Sequence, residues 1–118
     1  MADLVIDGTS LTLAMSRIEH LEGFRGDLHA PLTAVAVVRA VEDPWAELRG
    51  MRAPGTGLPG VIAVGTRRGS FGKDFAAVHG KGPAVVVEFV GQEFERWVLT
   101  VDDPDVVVAR LSGQAPSA

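Results

Sequence analysis

The chain has 118 residues, a length typical of one domain, with 47% hydrophobic and 22% charged residues. It contains no cysteine, which excludes disulfides, thiol catalysis and thiolate metal sites and fits a reducing compartment. The net charge of −4 argues against nucleic-acid binding. Because neither a signal peptide nor a long apolar stretch is visible, we expect a cytoplasmic protein without membrane insertion.

The first predicted element is a β-hairpin. In LVIDGTSLTLAM, two alternating apolar stretches flank Asp7-Gly8, a dipeptide typical of tight turns because glycine tolerates positive φ. Ser16 and Glu19 fit a capping box, which predicts a short helix that Gly23 ends. A strand that continues through Ile18 is the alternative.

Three features are predicted in the middle of the chain. Leu32 to Val41 is apolar on both faces of an extended strand, so we expect a central strand that is covered on both sides. Asp43-Pro44 is typical of a capped helix start, and a brief helix through Leu48 should follow. Met51 to Gly60 is rich in proline and glycine and predicts a long irregular loop.

The second half of the chain predicts strands and a final helix. The strand candidates are Val61 to Thr66, Asp74 to His79, Ala84 to Val90 and Arg96 to Val101. Their glycine-containing separators are short enough for hairpins, and the apolar faces of the last two strands should lie side by side in the core. Asp103-Pro104 then predicts a helix through Leu111 to Gly113, followed by a disordered tail at 114–118.

This order of elements predicts a single domain over residues 1–113, mainly β with α. We expect a bent antiparallel sheet or partly open barrel, with short helices and a C-terminal capping helix.

The order of elements resembles a bacterial pleckstrin-homology-like domain. The likeness lies in the strand-rich run from Val61 to Val101 and in the ending LTVDDPDVVVARL, with its last strand, Asp-Pro helix start and apolar helix. The segments RGMRAPGTGLPGVIAVGTRRG and GKDFAAVHGKGPAVVVE are similar to small actinobacterial proteins. The first hairpin lacks the basic residues of phosphoinositide-binding members. The resemblance therefore implies a scaffold for binding or self-association rather than for lipid recognition.

The sequence matches a nucleotide-binding fingerprint but lacks the structural context that the motif requires. Gly55-x-Gly57-x-x-Gly60 matches the dinucleotide motif, which requires a strand before the glycines and a helix after them. The residues that follow, VIAVGT, alternate like a strand, and Pro59 stands where the helix should begin. We interpret the match as accidental.

A small anionic ligand is one possible partner. The candidate residues are Arg67, Arg68, Lys73, Trp45, Arg49 and Arg52. The first three belong to a glycine-rich hairpin, where guanidinium groups and turn amides can hold a phosphate or carboxylate, and a solvated charged turn is the alternative. The others lie in or near the predicted loop, where Trp45 either forms a ligand platform or packs at the edge of the core.

The three histidines, His20, His29 and His79, could ligate zinc or haem iron if they converge. Their spacing lacks the i, i+4 pattern of a helical metal motif, and isolated histidines are the alternative. The serines lack a nucleophile elbow, and the paired carboxylates precede prolines as helix caps do.

We therefore predict a non-enzymatic binding or protein-interaction module without a cofactor. The alternative is a small-molecule-binding protein or enzyme. Its barrel-mouth pocket would be lined by Trp45, Phe71, Phe75 and the histidines, with arginines fixing an anionic group.

Overall fold

The structure, a computed structural model, describes residues 3–15, 27–58 and 61–114. The strands in these ranges are β1 (Asp3–Asp7), β2 (Ser10–Ala14), β3 (Leu28–Pro31), β4 (Val35–Val41), β5 (Met51–Leu58), β6 (Ile62–Gly69), β7 (Gly72–His79), β8 (Ala84–Phe89) and β9 (Arg96–Thr100). The helices are two 3₁₀ turns, η1 (Leu32–Ala34) and η2 (Pro44–Glu47), and the α-helix α1 (Pro104–Gln114).

The strands form two sheets, and neither closes into a barrel. The first sheet is antiparallel with the order β1-β2-β3, and the second has the order β4-β8-β9-β7-β6-β5. The predicted fold class is confirmed: the protein is mainly β with a C-terminal helix and a partly open arrangement of sheets. Within the described residues, no helix is both long enough and apolar enough to cross a membrane.

The predicted first hairpin is confirmed. Asp7 and Ser10 are opposite each other at the end of the β1–β2 ladder, and Gly8 in the turn has a φ of 62°. The capping box predicted at Ser16 and Glu19 lies outside the described residues, as do residues 115–118 of the predicted tail. Gln114, the first residue of that tail, belongs to α1.

The four predicted strands of the second half are confirmed as β6 to β9. Trp97 lies opposite Val87, and Leu99 lies opposite Val85, so the apolar faces of β8 and β9 are adjacent as predicted. All four side chains belong to the main hydrophobic core, which fills the space between the two sheets.

The helix α1 packs along one side of this core. Asp103 caps it, because Oδ1 accepts a hydrogen bond from the amide of Val106 at 3.4 Å. Leu111 is buried in the main core, and Val107 packs against it. The helix meets β1 in the first sheet and contacts β4 in the second, so it covers the opening between two edge strands.

The prediction of an irregular loop over Met51 to Gly60 is wrong for residues 51–58, the part of this segment that the structure describes. Residues 51–58 form β5, which pairs with β6 in antiparallel register and has a bulge between Arg52 and Gly55. Pro54 lies within the bulge. Proline lacks an amide donor and is tolerated in sheets at edges and bulges, and β5 is an edge strand.

The predicted hairpin between β7 and β8 is also wrong, because β9 lies between these strands and pairs with β7 in parallel. The connection of four residues, 80–83, must cross two inter-strand spacings, or about 9.6 Å. Four extended residues reach about 13 Å, which is sufficient. The prediction failed because a short connection fits both arrangements.

The prediction of a central strand at Leu32 to Val41 is wrong as well. Its first residues form η1, and β4 is the edge strand of the six-stranded sheet. Val37 is 43% exposed, and the register shifts between Val35 and Val37. This bulge breaks the regular alternation on which the prediction depended.

The core predicts a clear difference between two valines in the same region. Val87 is 0% exposed in β8, whereas Val90, just beyond the strand, is 68% exposed. Val87→Ala should lower the free energy of unfolding by about 2 kcal/mol, because it removes buried methyl groups and leaves a cavity. Val90→Ala is the matched control and should change it by less than about 0.5 kcal/mol. Guanidinium unfolding of both variants measures the difference, and equal losses would contradict this description of the core.

Candidate functional site

A pocket of about 240 Å³ opens between the two sheets, where β3 passes the connection from β8 to β9. We call it the inter-sheet pocket. Its lining residues are Asp27, Leu28, His29, Ala30, Phe89, Gln92, Glu93, Phe94 and Trp97. The pocket thus combines buried aromatic and aliphatic side chains with exposed polar ones, and small-ligand sites also combine apolar walls with a few polar groups.

The aromatic interior is held rigidly. Phe89 and Trp97 make an edge-to-face contact with centroids 4.6 Å apart, and Phe94 makes another with Phe75 at 5.7 Å. All of these rings are at most 5% exposed. Such contacts fix ring orientation, so the interior of the pocket is preformed.

The loop that carries Phe94 is fixed by the backbone on both sides. The amide of Phe89 donates to the carbonyl of Glu95 at 2.8 Å, and the amide of Glu95 donates to the carbonyl of Lys73 at 2.7 Å. The loop is therefore tied to both β8 and β7. This holds one wall of the pocket in place.

Two carboxylates lie at the opening. Asp27 Oδ1 accepts a hydrogen bond from the amide of Met15 at 2.9 Å, which joins the start of β3 to the end of β2. Glu93 pairs with Lys73, whose Nζ lies 2.8 Å from Glu93 Oε2 and 5.3 Å from the centroid of Phe94. The opening thus combines negative charge with an aromatic ring that already contacts an ammonium group.

The histidines do not assemble into the predicted metal site in the described part of the chain. His29 lies on β3 in the first sheet, where it lines the inter-sheet pocket, and its Nδ1 is 2.9 Å from Thr12 Oγ1 in an exposed contact. His79 ends β7 in the other sheet, and His20 lies outside the described residues. Across those residues, no three His, Cys, Asp or Glu side chains are grouped to hold a metal ion.

A buried carboxylate lies on the opposite, outer face of the six-stranded sheet. Asp74 on β7 is 1% exposed, and its carboxylate accepts hydrogen bonds from Arg49 Nε at 2.6 Å and Nη2 at 3.1 Å. Arg96 Nε lies 3.3 Å from the same group. The bond to Asp74 raises the pKa of Arg49. These partners compensate for the desolvation of a buried charge, which otherwise costs several kcal/mol.

Further charges extend this cluster across the sheet. Arg39 Nη2 donates to Glu47 Oε1 at 2.6 Å, and this bond lowers the pKa of Glu47 and raises that of Arg39. Arg96 Nη1 lies 3.4 Å from Glu47, and Arg39 Nε lies 3.5 Å from Glu88. The outer charge network comprises Arg39, Glu47, Arg49, Asp74, Glu88 and Arg96. It binds the segment after β4 to the sheet.

The predicted anion-binding cations are divided between two faces. Arg67 lies by the network and donates from Nε to the carbonyl of Arg49 and from Nη2 to that of Gly50, both at 3.1 Å. Arg68 follows it in the strand and takes the other face, opposite Lys73 in the β6–β7 register. The backbone of Arg52 lies opposite Arg67 in β5.

The aromatic residues proposed for a barrel-mouth pocket do not meet, so that prediction is wrong. Trp45 packs on the outer face and donates from Nε1 to the carbonyl of Gly80 at 2.7 Å, which confirms its place at the edge of a core. Phe75 is 0% exposed in the main core. Phe71 lies under Arg49, whose Cζ is 3.9 Å from the ring centroid. Strand alternation and the hairpin tip separate the three rings.

The glycine fingerprint is not followed by the helix that it requires. Gly55 and Gly57 lie within β5, and the next described element is β6, which pairs with it. The interpretation of the match as accidental is therefore confirmed.

Two features of the site went unpredicted. Asp74 shares a strand face with Ala76 and Val78, and a carboxylate in an apolar alternation is a signal that a buried ion pair exists. The inter-sheet pocket had a weaker signal, the single aromatic residue Phe94 in a polar turn.

Comparisons with protein-family models, curated proteins and solved structures gave no match. The likeness to pleckstrin-homology-like domains therefore rests only on the sequence pattern and the predicted order of elements.

The outer charge network predicts a large cost for neutralising Asp74. Asp74→Asn removes the buried negative charge that Arg49 and Arg96 share, so the free energy of unfolding should fall by about 2 kcal/mol or more. Asp102→Asn changes an exposed aspartate and should have little effect. Thermal and guanidinium unfolding measure both variants. Equal stability of the two would show that the network contributes nothing.

Acid should remove the contribution of Glu47 to the free energy of unfolding. Its pKa in the folded protein is lowered from the ordinary value of 4.5. The stability that it contributes is therefore fully present above pH 4.5 and is lost as the pH falls through the lower folded value. Guanidinium unfolding across this range should show a smaller acid-dependent loss for Glu47→Gln than for the wild type. Glu42→Gln, an exposed control, should follow the wild type, and three identical pH profiles would contradict the assignment.

Proposed function

We propose that the protein is a non-enzymatic binding module whose ligand occupies the inter-sheet pocket. The observation that carries this proposal is the preformed aromatic interior with a polar opening, formed by residues from both sheets. Binding sites of this kind use apolar walls for affinity and a few polar groups for orientation.

The size of the pocket limits the ligand. About 240 Å³ is below the range of about 300 to 1,000 Å³ that is usual for drug-sized molecules. A small compound or one side chain therefore fits. This supports a recognition role, in agreement with the scaffold that the pleckstrin-homology-like pattern implies.

The outer charge network supports the same view from the other side. Arg49 and Arg67 contact Asp74 and backbone carbonyls, respectively, so their hydrogen-bonding groups serve the fold. We therefore place the binding function in the inter-sheet pocket rather than among these arginines.

Probe binding tests the proposal. Butylammonium, butanol and butyrate share a four-carbon tail, and at least one should give saturable shifts in the ¹H–¹⁵N spectrum at residues 27–30 and 92–97. Trp45→Phe leaves Trp97 as the sole tryptophan, so its fluorescence reports the pocket independently. Native mass spectrometry of protein purified from its own host would show a retained ligand and also test self-association.

A pocket-filling variant supplies the control. Ala30 lines the pocket, and Ala30→Leu extends apolar carbon into it, so the fold should persist while probe binding is lost. Ala14→Leu makes the same change outside the pocket and should leave binding intact. Thermal unfolding verifies that both variants fold. Absence of binding by all three probes, or equal binding by Ala30→Leu, would overturn the proposal.

A further inference from the structure

We propose that the ligand of the inter-sheet pocket is a small primary alkylamine, bound as its ammonium ion. This inference rests on the proposed function of the pocket and names the chemical class of its ligand. Three features carry it: the composition of the pocket, the position of Lys73, and the size of the cavity.

The pocket combines the two groups that recognise ammonium ions. Phe89, Phe94 and Trp97 supply aromatic rings, whose faces attract cations. Asp27 and Glu93 supply carboxylates at the opening, which form charge-assisted hydrogen bonds with N–H donors. An aromatic interior beside carboxylates favours a ligand with an apolar tail and a positive head.

The protein already makes this interaction with one of its own side chains. Lys73 Nζ lies 2.8 Å from Glu93 Oε2 and 5.3 Å from the centroid of Phe94. An ammonium group is therefore accommodated where the ring and the carboxylate meet. Lys73 does not line the pocket, but Glu93 and Phe94 do, so a ligand amine inside the pocket would meet the same carboxylate and the same ring.

The cavity suits a short aliphatic chain better than a larger cation. At about 240 Å³ it is large enough for a chain of four carbons with its head group. Alkylamines have pKa values close to that of lysine, about 10.4, and are protonated at neutral pH. A carboxylate ligand of the same length would gain neither the ring contact nor the carboxylate contact of an ammonium ion and should bind more weakly.

The four-carbon probes separate this inference from the proposed function. Butylammonium should bind roughly tenfold more tightly than butanol, with butyrate weaker still, since only the ammonium gains both the ring and the carboxylate contact. Added salt should weaken butylammonium binding and leave that of butanol unchanged. If butanol or butyrate binds best, the cation assignment is overturned while the proposed binding site survives. If no probe binds, both fail.

Two variants test the role of Lys73. Lys73→Gln removes one internal partner of Glu93 and Phe94, and should strengthen butylammonium binding roughly threefold. Arg68→Gln removes a neighbouring positive charge on the same sheet face that, like Lys73, does not line the pocket, and should change binding less. Unchanged or weaker binding by Lys73→Gln would count against the inference, as would equal gains in the two variants.

A pair of peptides distinguishes a free amine from a basic side chain of a partner protein. Acetyl-Ala-Ala-Lys-Ala-Ala-amide presents an ammonium on a peptide, and its norleucine analogue lacks the charge. We expect the lysine peptide to bind more weakly than butylammonium, because the peptide backbone adds bulk at a small opening. Tighter binding of the lysine peptide would overturn the small-amine assignment in favour of a protein partner.

Discussion

The arrangement of the molecule depends on β9, a strand of five residues that lies between β8 and β7. Its side chains alternate between two environments. Trp97 and Leu99 enter the main core between the sheets, and Val98 joins the smaller apolar cluster on the outer face. Arg96, also on the outer face, contacts Asp74 and Glu47. The strand thereby joins the core, the wall of the inter-sheet pocket and the outer charge network.

The two faces of the six-stranded sheet differ in their surroundings. On the outer face, Asp74 is nearly fully buried and its charge is compensated by arginines, an arrangement that binds the segment carrying Trp45 and Glu47 to the sheet. On the inner face, rings of Phe94 and Trp97 border open space. The charge of Asp74 on the outer face is paired with arginines, whereas a pocket of about 240 Å³ borders the inner face.

The sequence was informative where structure depends on near neighbours. Asp7-Gly8 predicts a turn by itself, and alternation identifies β6 to β9 individually. The order of strands is not local: residues 80–83 suit a hairpin as well as a crossing over β9. The proline and glycine content of residues 51–58 predicted a loop instead of β5, because Pro54 is acceptable in a strand only at the edge of a sheet or in a bulge. The inter-sheet pocket joins Leu28 to Trp97, so its existence depends on how two sheets pack, which no single segment encodes.

The parallel pairing of β9 with β7 has a consequence for the order of events during synthesis. Strands β7 and β8 emerge first, yet the neighbour that both require is β9, which follows them in the chain. Until Arg96–Thr100 has left the ribosome, the six-stranded sheet lacks a central strand, and Val85, Val87 and Phe75 have no complete surface to pack against. The six-stranded sheet therefore cannot form before β9 is available, and a nascent chain halted before this strand would expose much of its apolar surface to chaperones.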